Sequence, residues 1–326
     1  MKRRALVQAA LAAPFCLPAR STTAQSPAQA TLGWVTAQTA ASLAPYVSAF
    51  RAALAERGYV EGRNLVLDTR YGDDVPGRVE ALAQELARRP VDVLVAQGAA
   101  AFDVRRLALR VPIVFTMSAD PVAAGFVDDL AHPRDNMTGM TLMAVELNGK
   151  RLELLRELVP SLRRVAVVGN PEHPGSQLER AFSEQTGQRL GIVIDYVPTP
   201  TADELDRALR ALTATAPQAI SLLADGFAVQ NRQRVIDFAT RIRVPVISGW
   251  PVFAQSGAVC TYGPRLSDCY RRLAYFSDRI LKGARPSDLP IERPTTFDLV
   301  INVKAASALG ITVPPSLLVR ADDVIA

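Results

Sequence analysis

The chain has 326 residues, 49% of them hydrophobic and 21% charged, with 37 Lys and Arg against 32 Asp and Glu for a formal net charge of +5. So apolar and so nearly balanced a composition excludes an intrinsically disordered chain. Three cysteines are too few for a disulfide scaffold, and two histidines leave no room for a His-rich metal site.

The first thirty residues read as an export signal. Lys2, Arg3 and Arg4 are followed by an apolar run from Ala5 to Leu17, broken only by Gln8, and then by the small residues Thr22-Thr23-Ala24 and Ala28-Gln29-Ala30. That is the order of basic start, apolar core and small-residue cleavage site. The run is shorter than the roughly 20 residues a membrane span needs. Arg3-Arg4 leaves a twin-arginine route open beside the general one, and bulky Phe15 before Cys16 argues against a lipoprotein. Lys2, Arg3, Arg4 and Arg20 fall in this segment with no acidic residue, so its removal takes the net charge from +5 to +1. The basic excess therefore offers no support for nucleic-acid binding. The expectation is an exported, periplasmic, monomeric protein.

Beyond residue 30, short apolar runs alternate with amphipathic ones. A strand over Leu32–Thr36 leads to a helix over Leu43–Arg57, whose Leu43, Tyr46, Val47, Phe50 and Leu54 share one face. A strand over Asn64–Tyr71, a helix around Val79–Leu86, a strand over Asp92–Ala96, a helix over Ala99–Leu109 and a strand over Pro112–Phe115 follow. The pattern restarts with helix Val145–Leu158 and strand Arg164–Gly169. Helix Ser176–Leu190, strand Ile192–Val197, helix Ala202–Ala214, strand Gln218–Leu223, helix Ala228–Ile242 and strand Pro245–Ser248 continue it. Strand Ala258–Tyr262, helix Leu266–Leu281, strand Phe297–Ile301 and a short helix Val303–Leu309 close it. Continuous apolar strands separated by helices predict an α/β fold of doubly wound parallel sheets. Arg110-Val111-Pro112-Ile113 and Arg243-Val244-Pro245-Val246 each open a strand after a strand–helix unit. Two lobes built alike would give this echo, as would a common way of entering a parallel sheet.

Open α/β sheets bind ligands outside the carboxyl ends of their strands. Small and polar residues gather at those ends here: Thr36 and Gln38, Gln97 and Gly98, Ser118 and Asp120, Asn170, Asp225, Trp250 and Tyr262. Hydroxyls, amides and N–H groups at helix starts hold a small anion, Asp225 suits an ammonium, and Trp250 and Tyr262 suit an apolar side chain. Ser118, Asp120 and Asp225 serve equally well as helix caps, Gly98 as a turn residue and Trp250 as core.

Catalytic motifs are missing. There is no Gly-x-Gly-x-x-Gly after a strand, no phosphate loop and no Gly-x-Ser-x-Gly elbow, so no cofactor, metal or catalytic residue is assigned. His132 and His173 stand alone and read as solvated loop residues. Cys260 and Cys269 are either two buried thiols or a disulfide permitted by export.

Several strings together carry a resemblance. They are Gly58-Tyr59-Val60-Glu61-Gly62-Arg63-Asn64-Leu65, Asp120-Pro121-Val122, Asn136-Met137-Thr138-Gly139 and Gly149-Lys150-Arg151-Leu152-Glu153-Leu154-Leu155. Near the C-terminus come Thr296-Phe297-Asp298-Leu299-Val300-Ile301-Asn302, the stretch from Ala308 to Leu318, and Arg320-Ala321-Asp322-Asp323-Val324-Ile325. From residue 31 onward the chain resembles the ABC-transporter substrate-binding proteins of the tryptophan/tyrosine-binding type. The resemblance implies a type I periplasmic binding fold, two lobes joined by a hinge, with residues 31–143 plus 252–288 in lobe 1 and 144–251 plus 289–326 in lobe 2. It implies a small-molecule ligand held between Gln97, Gly98, Ser118, Asp120 and Tyr262 on one wall and Asn170, Asp225 and Trp250 on the other, with ligand choice made in the loop Thr36-Ala37-Gln38-Thr39. An ABC permease in the inner membrane is the implied partner. A ligand-sensing domain that reports to a receptor and a secreted α/β enzyme are the alternatives.

Overall fold

The structure, a computed structural model, describes residues 29–326 apart from residues 74, 76, 134, 135 and 143. Residues 1–28 of the expected export signal lie outside the described residues. Ala30 already belongs to the first strand, its N–H bonded to the Asn64 carbonyl at 2.9 Å.

The first lobe contains β1 (Ala30–Thr36), α1 (Ala40–Glu56), β2 (Leu65–Tyr71), α2 (Arg78–Ala87), β3 (Val93–Gln97), α3 (Ala100–Arg106), β4 (Ile113–Met117) and β5 (Met137–Thr141). Its five strands are all parallel, in the order β2-β1-β3-β4-β5. β3 and β4 are buried at every position, which is why they read as unbroken apolar runs. The second lobe contains α4 (Ala144–Leu158), β6 (Arg164–Gly169), α5 (Ser176–Leu190), β7 (Val193–Pro198), α6 (Ala202–Thr215), β8 (Ala219–Leu222), α7 (Gly226–Arg241), β9 (Val246–Ser248), α8 (Pro251–Gln255) and β10 (Cys260–Pro264). Helix α9 (Leu266–Leu281) returns to the first lobe, and β11 (Phe297–Asn302), α10 (Val303–Ala308), α11 (Pro315–Arg320) and β12 (Asp323–Ile325) complete the second. Its sheet runs β12-β11-β10-β9-β8-β6-β7, parallel except between β10 and β11.

Without β11 and β12, the second sheet repeats the first: β7-β6-β8-β9-β10 matches β2-β1-β3-β4-β5. The Val-Pro echo has this cause, because Val111-Pro112 and Val244-Pro245 lead into the equivalent strands β4 and β9. In a sheet of this order the strand order reverses between the first and third strands, and the crevice there is where ligands sit.

Helix α9 packs against α1, where Trp34 stacks on Tyr270 at 5.9 Å and meets Phe50 edge-on at 5.1 Å. Burying each of these large side chains contributes about 1.5–3 kcal/mol. α9 thus stays with the first lobe while the strand before it does not. α8 has only five residues, so the chain turns back beside β9 and β10 pairs there instead of crossing. The expected placement of residues 252–264, and so of Tyr262, in lobe 1 therefore differs from the observed pairing. The chain passes between lobes after β5, after β10 and before β11. The last passage runs beside β5, with Thr141 N–H bonded to the Glu292 carbonyl at 3.0 Å and Glu292 N–H to the Gly139 carbonyl at 2.9 Å. Cys260 and Cys269 are buried free thiols in different core clusters, and burial pushes both up to about 12.

Candidate ligand-binding site

Both switch points open into one cleft. Thr36 and Gln97 end β1 and β3 as ladder neighbours, and Asn170 and Asp225 follow β6 and β8 across the gap. The cleft has two chambers. One, of about 400 Å³, is polar and is lined by Gly98, Thr116, Ser118, Asn170, His173 and Asp225, among others. The other, of about 310 Å³, is more apolar and is lined by Tyr46, Leu142, Val229, Arg232, Trp250 and Tyr270, among others. Gln38, Gln97, Leu142 and Trp250 border both.

Thr36 is fully buried and organises this junction instead of facing it. Its hydroxyl donates to Gln97 Oε1 at 2.5 Å and accepts the Gln38 N–H at 3.1 Å. The Gln97 amide is thereby held in one orientation at the chamber border. Thr39 caps α1 by accepting the Ser42 N–H at 3.4 Å, which ends the Thr36–Thr39 loop. Gly98 has φ +68°, a conformation that favours glycine, and its N–H bonds to the Thr116 carbonyl at 2.7 Å. Thr116 is 1% exposed, and its hydroxyl, at the polar chamber, has no hydrogen-bond partner among the described residues.

Asp225 is the N-cap that its sequence position suggested, and it also lies at the cleft. It caps α7, its Oδ1 accepting the Ala228 N–H at 2.6 Å, and it borders the polar chamber. Burial pushes its carboxyl up, opposed by nearby His173 and the helix N–H groups. Trp250 likewise belongs to the core, 8% exposed and tilted on Phe253, while walling both chambers.

Among the described residues the lobes come together across the cleft around Ser118, Gln38 and Ala119. Ser118 Oγ lies 2.8 Å from His173 Nε2. A Cβ on Gly226 would come within 2.9 Å of Gln38 Nε2, and one on Gly175 within 3.2 Å of the Ala119 methyl group. His173 is thus not a solvated loop residue. It is largely, though not wholly, covered between the lobes, and this burial lowers its pKa against the pull of Asp225. The Asn170-Pro171 turn folds it back over the chamber, with His173 N–H bonded to the Asn170 carbonyl at 3.1 Å.

Besides Thr36, two expected residues are not brought to the chambers. Asp120 closes its own turn, Oδ1 accepting from the Val122 and Ala123 N–H groups at 2.9 and 3.1 Å, and its other oxygen meets Arg293 at 3.4 Å. Tyr262 stacks on Phe297 at 6.1 Å, because β10 lies in the second sheet. Tyr46, Arg232 and Tyr270 were not assigned to the site from the sequence because each lies within an amphipathic helix, where helical spacing alone assigns it to core or surface.

A buried polar cluster supports the second wall from behind. Arg151, fully buried, donates from Nε to the Tyr262 carbonyl at 2.9 Å and from Nη1 to Asn148 Oδ1 at 2.5 Å. Burial brings its guanidinium down to about 10. Burial also pushes Glu179 up to about 8, with Arg151 opposing. Among the described residues no group of His, Cys, Asp and Glu is arranged to hold a metal ion.

Two sheets of repeated order, facing each other across a cleft, define a two-lobed α/β protein of the type I periplasmic binding fold. The sequence profile of the ABC transporter substrate binding proteins matches residues 39–325, and the chain belongs to that family. A curated relative, the tyrosine-binding protein of Clostridioides difficile, is 21% identical over 262 residues, covering 80% of this chain and 75% of that protein. A conserved domain protein from Vibrio cholerae superposes with TM-score 0.84 at 25% identity, over 91% of this chain and 99% of that one. A Streptococcus pneumoniae domain solved in complex with L-Trp superposes with TM-score 0.86 at 22% identity, over 91% and 100%.

Proposed function

We propose that the chain is the extracytoplasmic solute-binding component of an ABC importer, and that it captures an aromatic amino-acid-like ligand between its lobes for delivery to an inner-membrane permease. The observation that carries this reading is the junction of the two chambers. An ammonium group fits beside Asp225, whose carboxylate caps α7 and borders the polar chamber. A ring fits past Gln97 into the chamber walled by Trp250, Tyr46 and Tyr270. The Thr116 and Ser118 hydroxyls and the N–H groups at the helix starts offer donors for a carboxylate. The names of the relatives, a tyrosine-binding protein and an L-Trp complex, point the same way.

Capture proceeds by population shift. A ligand bridging the walls gains its full set of contacts only when the lobes are together, so it stabilises the closed arrangement by that difference. The three passages between lobes are the hinge. Calorimetric titration of the purified protein with L-tyrosine, L-tryptophan and L-alanine tests the reading, together with small-angle scattering of each mixture. Saturable binding of an aromatic amino acid with a smaller radius of gyration is expected. Absence of binding by both aromatic amino acids would reject the ligand class.

A further inference from the structure

The two chambers carry opposite charge. Asp103, Glu172 and Asp225 border the polar one, which has no lysine or arginine among its described lining residues. The apolar one is bordered by two arginines, Arg232 and Arg265. Arg265 is neutralised, its Nη2 lying 2.7 Å from Asp298 Oδ1. Arg232 is held by neutral partners instead. Its Nε donates to Ser256 Oγ at 3.0 Å and its Nη1 to the Val229 carbonyl at 2.6 Å, and Nη2 has no partner among the described residues. These bonds fix the guanidinium in a chamber that is otherwise lined by Tyr46, Trp250, Tyr270 and aliphatic side chains. Arg232 is close enough to Tyr46 to oppose the rise of the tyrosine hydroxyl to about 12 that burial causes.

Helix α7 sets the spacing. Asp225 is its N-cap and Arg232 stands seven residues on, about two turns later and on the same face, with Val229 between them also facing the apolar chamber. Two turns rise about 10 Å at roughly 1.5 Å per residue. An acceptor at one end of this helix face and a donor fork at the other match a ligand with a cation at one end and an oxygen at the far end of a ring.

Resting on the reading of the cleft as an aromatic amino-acid site, we infer that Arg232 is a second recognition point, which takes a hydroxyl or carboxylate oxygen borne on the ligand's ring remote from the ammonium group. A ring ending in bare hydrocarbon leaves the guanidinium desolvated and unpaired, which disfavours it. The site thus selects para-substituted aromatic amino acids, and a carboxylate there gains a charge-assisted bond that a hydroxyl gains only in weaker form.

The test compares L-phenylalanine, L-tyrosine and 4-carboxy-L-phenylalanine by calorimetry on the wild type and on Arg232→Gln, with Arg232→Lys as a variant that keeps the charge. Melting curves check that each variant is folded. The expected result is a preference of roughly tenfold or more for an oxygen-bearing ring over phenylalanine in the wild type. Arg232→Gln should lose that preference, with phenylalanine binding at least as tightly as it does to the wild type because the desolvated guanidinium is gone, and Arg232→Lys should keep part of it. Phenylalanine bound as tightly as both others, or a preference surviving in Arg232→Gln, overturns the assignment while leaving the aromatic site standing. If none of the three binds, the aromatic amino-acid reading fails. Benzoate and 4-hydroxybenzoate, which lack the amino-acid head, then decide Arg232 alone. Stabilisation of the wild type but not of Arg232→Gln upholds it, and stabilisation of neither overturns it.

Discussion

Ser118 of one lobe and His173 of the other meet at 2.8 Å between Oγ and Nε2. The Gly175 N–H donates to His173 Nδ1 at 3.3 Å, so Nε2 carries the proton and donates to the serine. The bond exists only while the lobes are together. Ser118→Ala should therefore weaken ligand binding by several-fold, the equivalent of about 1 kcal/mol. It should also enlarge the radius of gyration of the ligand-free protein. Scattering separates the latch from direct ligand contact: an unchanged ligand-free radius with weakened binding would mean that Ser118 acts on the ligand alone.

The same bond makes binding sensitive to acid. Burial holds the His173 pKa below 6.5 in the closed arrangement, and opening returns the ring to water and towards its ordinary value. Below about pH 6.5 the open form takes up a proton that the closed form refuses, so closure and affinity fall as pH falls. Affinity measured between pH 7.5 and 5.5 should drop by no more than tenfold per pH unit for this one proton. Asp225, whose carboxyl is raised by burial, weakens ammonium binding in the same direction when it protonates. His173→Gln should leave that part and remove the rest. An identical profile in the variant would exclude His173 as the titrating group.

Much of this arrangement was legible in the sequence. Val93–Ala96 and Val165–Val168 are apolar at every position, as strands covered on both faces must be, and the polar residues following them mark the cleft. β5 was not legible, because Met137-Thr138-Gly139-Met140-Thr141 lacks the β-branched run of its neighbours and its hydroxyls bond to partners distant in sequence. The Thr138 hydroxyl bonds to the Leu289 carbonyl at 2.8 Å and the Thr141 hydroxyl to the Ala119 carbonyl at 2.9 Å. His173 was misread for a related reason. A histidine between prolines in a turn resembles a solvated one until the opposite lobe covers it, and no local pattern records that lobe.

Asp225 joins two functions that substitution can separate. Asn caps a helix about as well as Asp and carries no charge. Asp225→Asn should keep the melting temperature close to that of the wild type and lower affinity for an amine-bearing ligand by roughly tenfold or more. Asp225→Ala should lose the charge and the cap, at a further cost in stability of about 1 kcal/mol. Unchanged affinity in Asp225→Asn by calorimetry would remove the carboxylate from ammonium recognition and leave it a cap.

Glu179 is 2% exposed, and burial lifts its carboxyl from 4.5 to about 8 against the opposing charge of Arg151. Between those values the folded protein keeps a proton that the unfolded chain has released, so the unfolded state binds fewer protons and stability declines as pH rises. The contribution is whole below pH 4.5 and is lost as pH climbs through about 8. Glu179→Gln preserves the shape and hydrogen-bonding capacity of the neutral acid and has nothing to ionise. The wild type should lose melting temperature between pH 6 and 9, and the variant should lose less, by on the order of a few degrees. Because Arg151 stays buried in both proteins, its own cost cancels in this comparison of slopes. Parallel pH profiles for the two proteins would show that Glu179 is ionised in the fold at neutral pH, paired electrostatically with Arg151.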